Sequence, residues 1–432
     1  MKFDQIPITV YLMNGRRIFL LFVIAALTLA GIGPTPIFKK ARAQGFFGAQ
    51  RWPAIDVDNN DNLYLMMSVA TAPASEHRPH SQIFFAKSVD SGVNWDNTPQ
   101  TRNLSNSPGE AFGPSLAVNR HGKVRVYVSY TDNSSGTTQA FLISSKKKTK
   151  FRAPLRLTPD KGGSFAPRVA LDSNETVNIV WADTNRGPGK ILLAQSTDLG
   201  LTFSEPLDVS RSSGVAFDPE IAIDPSDAIN VAWQDTAPGK NVIMFARSTD
   251  HGRTFSHPKQ VSTGTGAATE AAIATDAEGI ISIAWVDDTP GHSEAFYARS
   301  TDSGASFSNP IQVSNFPNGD IHKPTLITFR NIVYFAFQNG DLFGEEQIKG
   351  RQVYLTKSED AGVSFGEAVQ VSNATPSKGR AHSPAMVVDS RGVLHIVWID
   401  SSIIGNDEGL LFYSHSSDGH KFSDERMILA LI

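Results

Sequence analysis

The sequence predicts an all-β chain folded as a seven-bladed β-propeller of four-stranded antiparallel blades, and three observations carry that prediction. First, a Ser-x-Asp-x-Gly-x-x-aromatic octet recurs seven times. Five copies are intact: Ser88, Asp90, Gly92 and Trp95; Ser196, Asp198, Gly200 and Phe203; Ser248, Asp250, Gly252 and Phe255; Ser300, Asp302, Gly304 and Phe307; and Ser358, Asp360, Gly362 and Phe365. One eroded copy has lysines in place of Asp and Gly (Ser144, Lys146, Lys148, Phe151), and the last has lost a residue between Asp418 and Gly419. Second, the step from Ser144 to Ser196, Ser248 and Ser300 is 52 residues each time. Third, two alternating β-branched runs flank a turn upstream of each octet, clearest in Pro219 to Asp224 followed by Ile229 to Asp235. Nothing in the unit has helical periodicity.

Residues 1–43 are a different kind of sequence. Arg16 and Arg17 precede the apolar run Ile18 to Gly33, Pro34 and Pro36 break it, and Ala41-Arg42-Ala43 offers a small-x-small cleavage site. That pattern is an export signal, which makes the mature chain periplasmic or secreted. The apolar run falls short of the roughly 20 residues of a membrane span, so contact with a membrane is expected only through an uncleaved signal. The stretch Gly15 to Leu20, with Lys39, Lys40 and Arg42 after the apolar run, resembles a twin-arginine signal.

From residue 44 to 432 a single propeller domain is expected, with blades at about 49–108, 109–160, 161–212, 213–264, 265–318, 319–378 and 379–432. In each octet, which joins strands three and four, Gly supplies a positive φ while Ser and Asp hydrogen-bond the turn. Seven separated copies cannot converge on one substrate, so the octets are structural. Asp132, Asp183, Asp235, Asp287 and Asp400 follow strand two. Two readings stand for them, Asx-type turn caps or a carboxylate ring at the channel mouth. The last unit ends on its own fourth strand, Arg426 to Leu431, which leaves open whether the ring closes without an N-terminal strand.

Composition narrows the function classes. The 432 residues are 40% hydrophobic and 19% charged, with a formal charge of −4 and no long basic run, so the chain is globular and nucleic acid is not an expected partner. Cysteine is absent, which excludes disulfides and a lipid-modified cysteine. A monomer is expected.

Loop lengths point to one arc. From the strand-two aromatic or its substitute to the octet Ser the distance is 14 or 15 residues in blades two to five, but 21 from Met67 to Ser88, 21 from Phe337 to Ser358 and 18 from Trp398 to Ser416. Blades six, seven and one are neighbours in a closed ring, and enlarged loops on a rigid scaffold are where binding concentrates. The expected cleft is lined by Arg51, Glu76, His77, Arg78, His80, Asp341, Glu345, Glu346, Arg351, Arg380, His382, Asp407 and Glu408; drift in exposed loops is the plain alternative. Glu76, His77, His80, His322 and His382 are of metal-ligand type, yet their spacing matches no recognised metal motif, so neither metal nor cofactor is expected.

The octets are Asp-boxes, and over nearly all of its mature length the chain resembles the sialidase and Asp-box-repeat superfamily. That resemblance implies a propeller, and six blades in the sialidases themselves against seven units here. It also implies a catalytic set of three arginines, an Asp acid and a Tyr nucleophile assisted by Glu. Arg51-Trp52-Pro53 looks like the Arg-Ile-Pro element, Glu76 is the carboxylate where the acid is expected, Asp218-Pro219 resembles the Glu-Pro element, and His382-Ser383 stands where Tyr-Ser is expected. By resemblance, then, Arg51, Glu76, Asp218 and His382 are the catalytic candidates. The nucleophilic Tyr and two of the three arginines are missing, with Trp233-Gln234 in place of one. The sequence therefore favours recognition of a glycan or cell-surface ligand by the loop face of blades six, seven and one, with Trp52, Phe112 and Phe343 available to stack on sugars. Two alternatives remain, a glycoside hydrolase with a substituted catalytic set and a structural propeller that contacts protein.

Overall fold

The computed structural model describes residues 49–71, 80–96, 103–120, 122–147, 150–159, 163–185, 187–316, 320–340, 351–373, 381–400 and 409–428. The export signal and the enlarged loops at 72–79, 341–350, 374–380 and 401–408 lie outside these residues.

Seven antiparallel sheets follow one another along the chain. Their first strands are Ala49–Val57, Ala111–Val118, Ser164–Leu171, Ala216–Ile223, Ala268–Thr275, Ile321–Phe329 and Ala381–Val388. Each first strand packs against the next, and the seventh packs against the first, so these strands line a closed ring. The seven-bladed all-β architecture is as the sequence predicts.

The second strands form the core. Val126–Asp132, Val177–Asp183, Ile229–Asp235, Ile281–Asp287 and Leu394–Asp400 are buried at every residue, because neighbouring blades cover both faces of each sheet. Trp181, Trp233, Trp285 and Trp398 are fully enclosed there, and removing any one to Ala is worth about 3–5 kcal/mol. Outer strands are short, mostly two residues, and in blade one the fourth strand reduces to a single bridge between Phe84 and Asn103. In blade two the lysine-bearing octet forms an extra small hairpin, Lys150–Phe151 pairing with Gln139–Lys147.

The octets are turn-holding devices. In blade four the Gly252 N–H donates to Ser248 Oγ at 2.9 Å, Ser248 Oγ donates to Asp250 Oδ1 at 2.8 Å, and Asp250 accepts from the Thr254 N–H at 2.9 Å. These bonds hold the Asp250 carboxyl down at about 2, with the Thr254 hydroxyl as the largest contributor. Blades three, five and six repeat the scheme.

The five aspartates are the final residues of their second strands, and four of them are turn caps. Asp132, Asp183, Asp235 and Asp287 each accept from the N–H two residues on, and Asp235 Oδ2 also accepts from Trp233 Nε1 at 3.0 Å. All five, Asp400 included, are buried, which excludes a ring of free carboxylates.

Blade seven is complete in itself, with Ala381–Val388, Leu394–Asp400, Leu410–Ser416 and Arg426–Ile428 paired in order. Closure therefore uses packing and polar contacts in place of an exchanged strand. Val57, Leu65 and Met67 of blade one share a core with Val397, Ile399, Leu411 and Tyr413 of blade seven. Tyr413 Oη donates to the Ser91 carbonyl at 2.8 Å, and the Ser390 N–H donates to Asp61 at 2.9 Å.

Candidate functional site

Every first strand carries the same irregularity near its start. The register slips between Arg51 and Ala54, Phe112 and Ser115, Phe217 and Glu220, Thr269 and Ala272, His322 and Thr325, and His382 and Ala385, with a matching slip opposite the inner strand of blade three. At each slip one residue takes a positive φ: Trp52, Gly113, Ala166, Asp218, Glu270, Lys323 and Ser383, at 46° to 62°. Proline follows in every blade but the fifth, where Ala271 stands. Proline lacks an N–H and cannot continue the ladder, so the strand bulges and re-aims its side chains. Because the start of strand one lies beside the end of strand two, all seven bulges crown the channel on the face of the enlarged loops, opposite the octets.

The seven bulges are not alike. Blades one to four supply aromatics, Trp52, Phe112, Phe165 and Phe217, and the Trp52 and Phe112 rings lie 5.8 Å apart. Trp52 and Phe165 are 39% and 40% exposed, the most open aromatic rings among the described residues. Blades three to six supply charge. Arg168 Nε donates to Glu220 Oε1 at 2.7 Å across the third and fourth blades. Lys323 Nζ stands 3.3 Å and His322 Nδ1 3.6 Å from Glu270 Oε1 across the fifth and sixth, and the Lys323 N–H also donates to Glu270. Exposed Asp218 accepts from Gln234 Nε2 at 3.2 Å.

The two glutamates titrate in opposite directions. Enclosure by the channel wall raises Glu220, with Arg168 opposing it. Enclosure works against Glu270 too, but the His322 hydrogen bond, the Lys323 ammonium and the Lys323 N–H outweigh it and hold the carboxyl at about 2. Between blades six and seven Gln338 accepts from the Ser383 N–H at 2.9 Å, while its buried Nε2 has no hydrogen-bond partner among the described residues.

Of the residues singled out by sequence, Arg51 and His382 fall at equivalent places in the bulges of blades one and seven, and Asp218 falls one position further on in that of blade four, at the residue of positive φ. Arg51 and His80 are placed by backbone alone, His80 opening the strand His80–Ser88. His382 Nδ1 is 3.1 Å from Ser383 Oγ. Arg351 is 3% exposed, and its carbonyl accepts from the Ala381 N–H of blade seven. Glu76, His77, Arg78, Asp341, Phe343, Glu345, Glu346, Arg380, Asp407 and Glu408 lie outside the described residues. Sequence reasoning passed over Arg168, Glu220, Glu270 and Lys323. The signal was present: the residues on either side of the recurrent proline are small or aromatic in some blades and ionisable in others.

No protein-family model and no curated protein sequence matches the chain. Solved structures do. A Dyadobacter fermentans protein of unknown function aligns at TM-score 0.52 and 15% identity, covering 86% of this chain and 96% of that one. A polysaccharide lyase, an ulvan lyase bound to a GlcA–Rha3S saccharide, aligns at 0.53 and 11% identity, covering 90% and 96%. The leech intramolecular trans-sialidase aligns at 0.49 and 12% identity, covering 91% and 72%. At such identities the likeness is one of fold, that of a β-propeller. Its own mouth joins an aromatic arc to a polar one.

Proposed function

We propose that this propeller is an exported glycan-binding protein whose ligand sits over the channel mouth on the loop face. One juxtaposition carries the reading: the exposed rings of Trp52 and Phe165 and the hydrogen-bonding groups of blades three to six all belong to the bulges at the starts of the inner strands. A sugar ring has an apolar C–H face and a hydroxyl edge, and a concave site with an aromatic platform and a few convergent polar groups matches both. A saccharide occupies one propeller of this fold, the ulvan lyase, which supports the reading without specifying the sugar. Glycan-array binding by the full mature chain tests this. Retention of signal with Trp52→Ala or Phe165→Ala, at unchanged thermal stability, would exclude the aromatic arc as the platform.

A second reading, glycoside cleavage, is favoured by the opposed titration of Glu220 and Glu270, since carboxyls pushed apart in pKa suit acid and base roles. Release of reducing ends from a polysaccharide panel, abolished by Glu220→Gln with binding kept, supports that reading; binding without turnover rejects it.

A further inference from the structure

We propose that blade two carries a basic finger that docks the chain onto an anionic lipid surface, a contact separate from the export signal and independent of the glycan reading. Its origin is the eroded octet. In the six other blades strand three stops on the octet serine, at Ser88, Ser196, Ser248, Ser300, Ser358 and Ser416. In blade two it runs past Ser144 to Lys147 and returns as Lys150–Phe151, with Ser145 paired to Phe151 and Lys147 to Lys150. Three further residues at about 3.3 Å each carry the strand about 10 Å beyond the octet serine. The blade has no need of this hairpin to complete its sheet, because Leu155–Arg156 already pairs with Phe141 and Leu142 as the fourth strand.

The finger is held at its foot. Phe151 packs edge-on against Phe85 of blade one, with ring centroids 5.1 Å apart. Arg152 Nη1 donates to Ser144 Oγ at 2.8 Å and to the Leu199 carbonyl of blade three at 3.3 Å. Beyond that foot Lys146, Lys147 and Lys150 are exposed, and no carboxylate of the described residues lies within salt-bridge distance of them. The octet aspartates of the other blades stay near the level of their serines, as Asp198 does by accepting from Ser196 Oγ at 2.7 Å and from the Thr202 N–H at 2.9 Å. The lysines therefore stand about one Debye length in front of that acidic ring at physiological salt.

Lysines are point charges on flexible stems and suit the phosphates of a fluid headgroup layer, which demand no fixed fork geometry. Beside the finger, Leu201 of blade three is 53% exposed; its octet abuts the finger's foot, since a Cβ on Gly200 would lie 3.5 Å from Ser144 Cβ. Exposed lysines next to an exposed leucine match a bilayer surface, charge for the headgroups and an apolar side chain for the acyl boundary. A soluble polyanion has no use for the leucine. The octets lie opposite the channel mouth, so docking by the finger leaves the mouth clear of the bilayer.

Co-sedimentation of the full mature chain with vesicles tests the proposal, using pure phosphatidylcholine and phosphatidylcholine mixed with phosphatidylglycerol. Each lysine near an anionic surface is worth about fivefold in partition. The chain is expected to bind the phosphatidylglycerol vesicles, to come off as salt rises, and to ignore pure phosphatidylcholine. Lys146→Gln, Lys147→Gln and Lys150→Gln combined should weaken binding roughly hundredfold at an unchanged thermal midpoint, and Leu201→Ser should weaken it by about a few-fold. No binding to phosphatidylglycerol vesicles, or binding that the triple variant retains, overturns the finger. Binding to dextran sulfate at least as tight as to the vesicles, with Leu201→Ser without effect on either, assigns the finger to a soluble polyanion and overturns the bilayer.

Discussion

Replacing Glu270 by Gln removes a carboxyl whose ionisation the fold rewards, and its effect on stability must therefore depend on pH. Held at about 2 in the folded chain against an ordinary 4.5, the group favours folding whenever it is ionised. That difference is worth about 3 kcal/mol, an upper value because the side chain is 19% exposed and channel water screens its partners. The folded value is depressed, so the contribution is fully present above the unfolded value and is lost as pH falls from about 4.5 toward 2. Over the roughly 385 residues from Phe47 to Leu431, an unfolding entropy of about 2.1 cal/mol/K per residue converts 3 kcal/mol into a midpoint shift of about 4 °C. Scanning calorimetry of wild type and Glu270→Gln at pH 7, 5, 4 and 3 reads it. The variant is expected to melt up to about 4 °C lower at pH 7 and 5, with the gap closing as pH falls to 3. A gap that stays constant across this range refutes the assignment of Glu270 as an ionised partner of Lys323 and His322.

Further outcomes concern the scaffold. Gly362 has φ of 85° and an added Cβ would lie 2.0 Å from Tyr297 Oη, whereas Gly279, at 81°, has nothing within 4 Å. Both pay the left-handed strain of about 1–2 kcal/mol on substitution by Ala, but Gly362→Ala also displaces a packed ring and should cost about 1–3 kcal/mol more in a denaturation series. Tyr413→Phe removes the donor to the Ser91 carbonyl and the hydroxyl 2.7 Å from His395 Nδ1, so a loss of about 1–3 kcal/mol is expected, with faster amide exchange at the junction of blades seven and one. An unchanged exchange rate at that junction would mean that closure rests on the shared apolar core alone. Glu220→Gln should show the opposite pH trend to Glu270→Gln, because a raised carboxyl favours the folded chain below its unfolded value and opposes it as pH rises; parallel trends contradict the split.

Fold was legible because its signals are local. An octet of eight residues contains its whole hydrogen-bond scheme, as Ser248, Asp250, Gly252 and Thr254 demonstrate, and alternating runs such as Ile229 to Asp235 reveal a strand by themselves. The mouth was legible only in part. Asp218 and His382 were found through family likeness, and Trp52 and Phe112 as stacking candidates. The Arg168–Glu220 and Glu270–Lys323 pairs join residues 52 and 53 positions apart, and no pattern within one blade announces a bond to the next. The bulge escaped notice for another reason. A proline after an ordinary residue reads as a strand start, and only the register slip shows that Asp218, Glu270 and Lys323 adopt a left-handed backbone that turns them to the rim.

Intrinsic tryptophan emission addresses the central claim most directly. Trp181, Trp233, Trp285 and Trp398 are buried and Trp95 packs edge-on against Tyr413, whereas Trp52 is 39% exposed on the aromatic arc of the mouth. Titration with a glycan identified on the array should shift emission to the blue as a sugar covers that indole. The change should vanish in Trp52→Phe while the fold is kept. Saccharide binding that leaves Trp52 emission unaltered contradicts a ligand seated on the channel mouth.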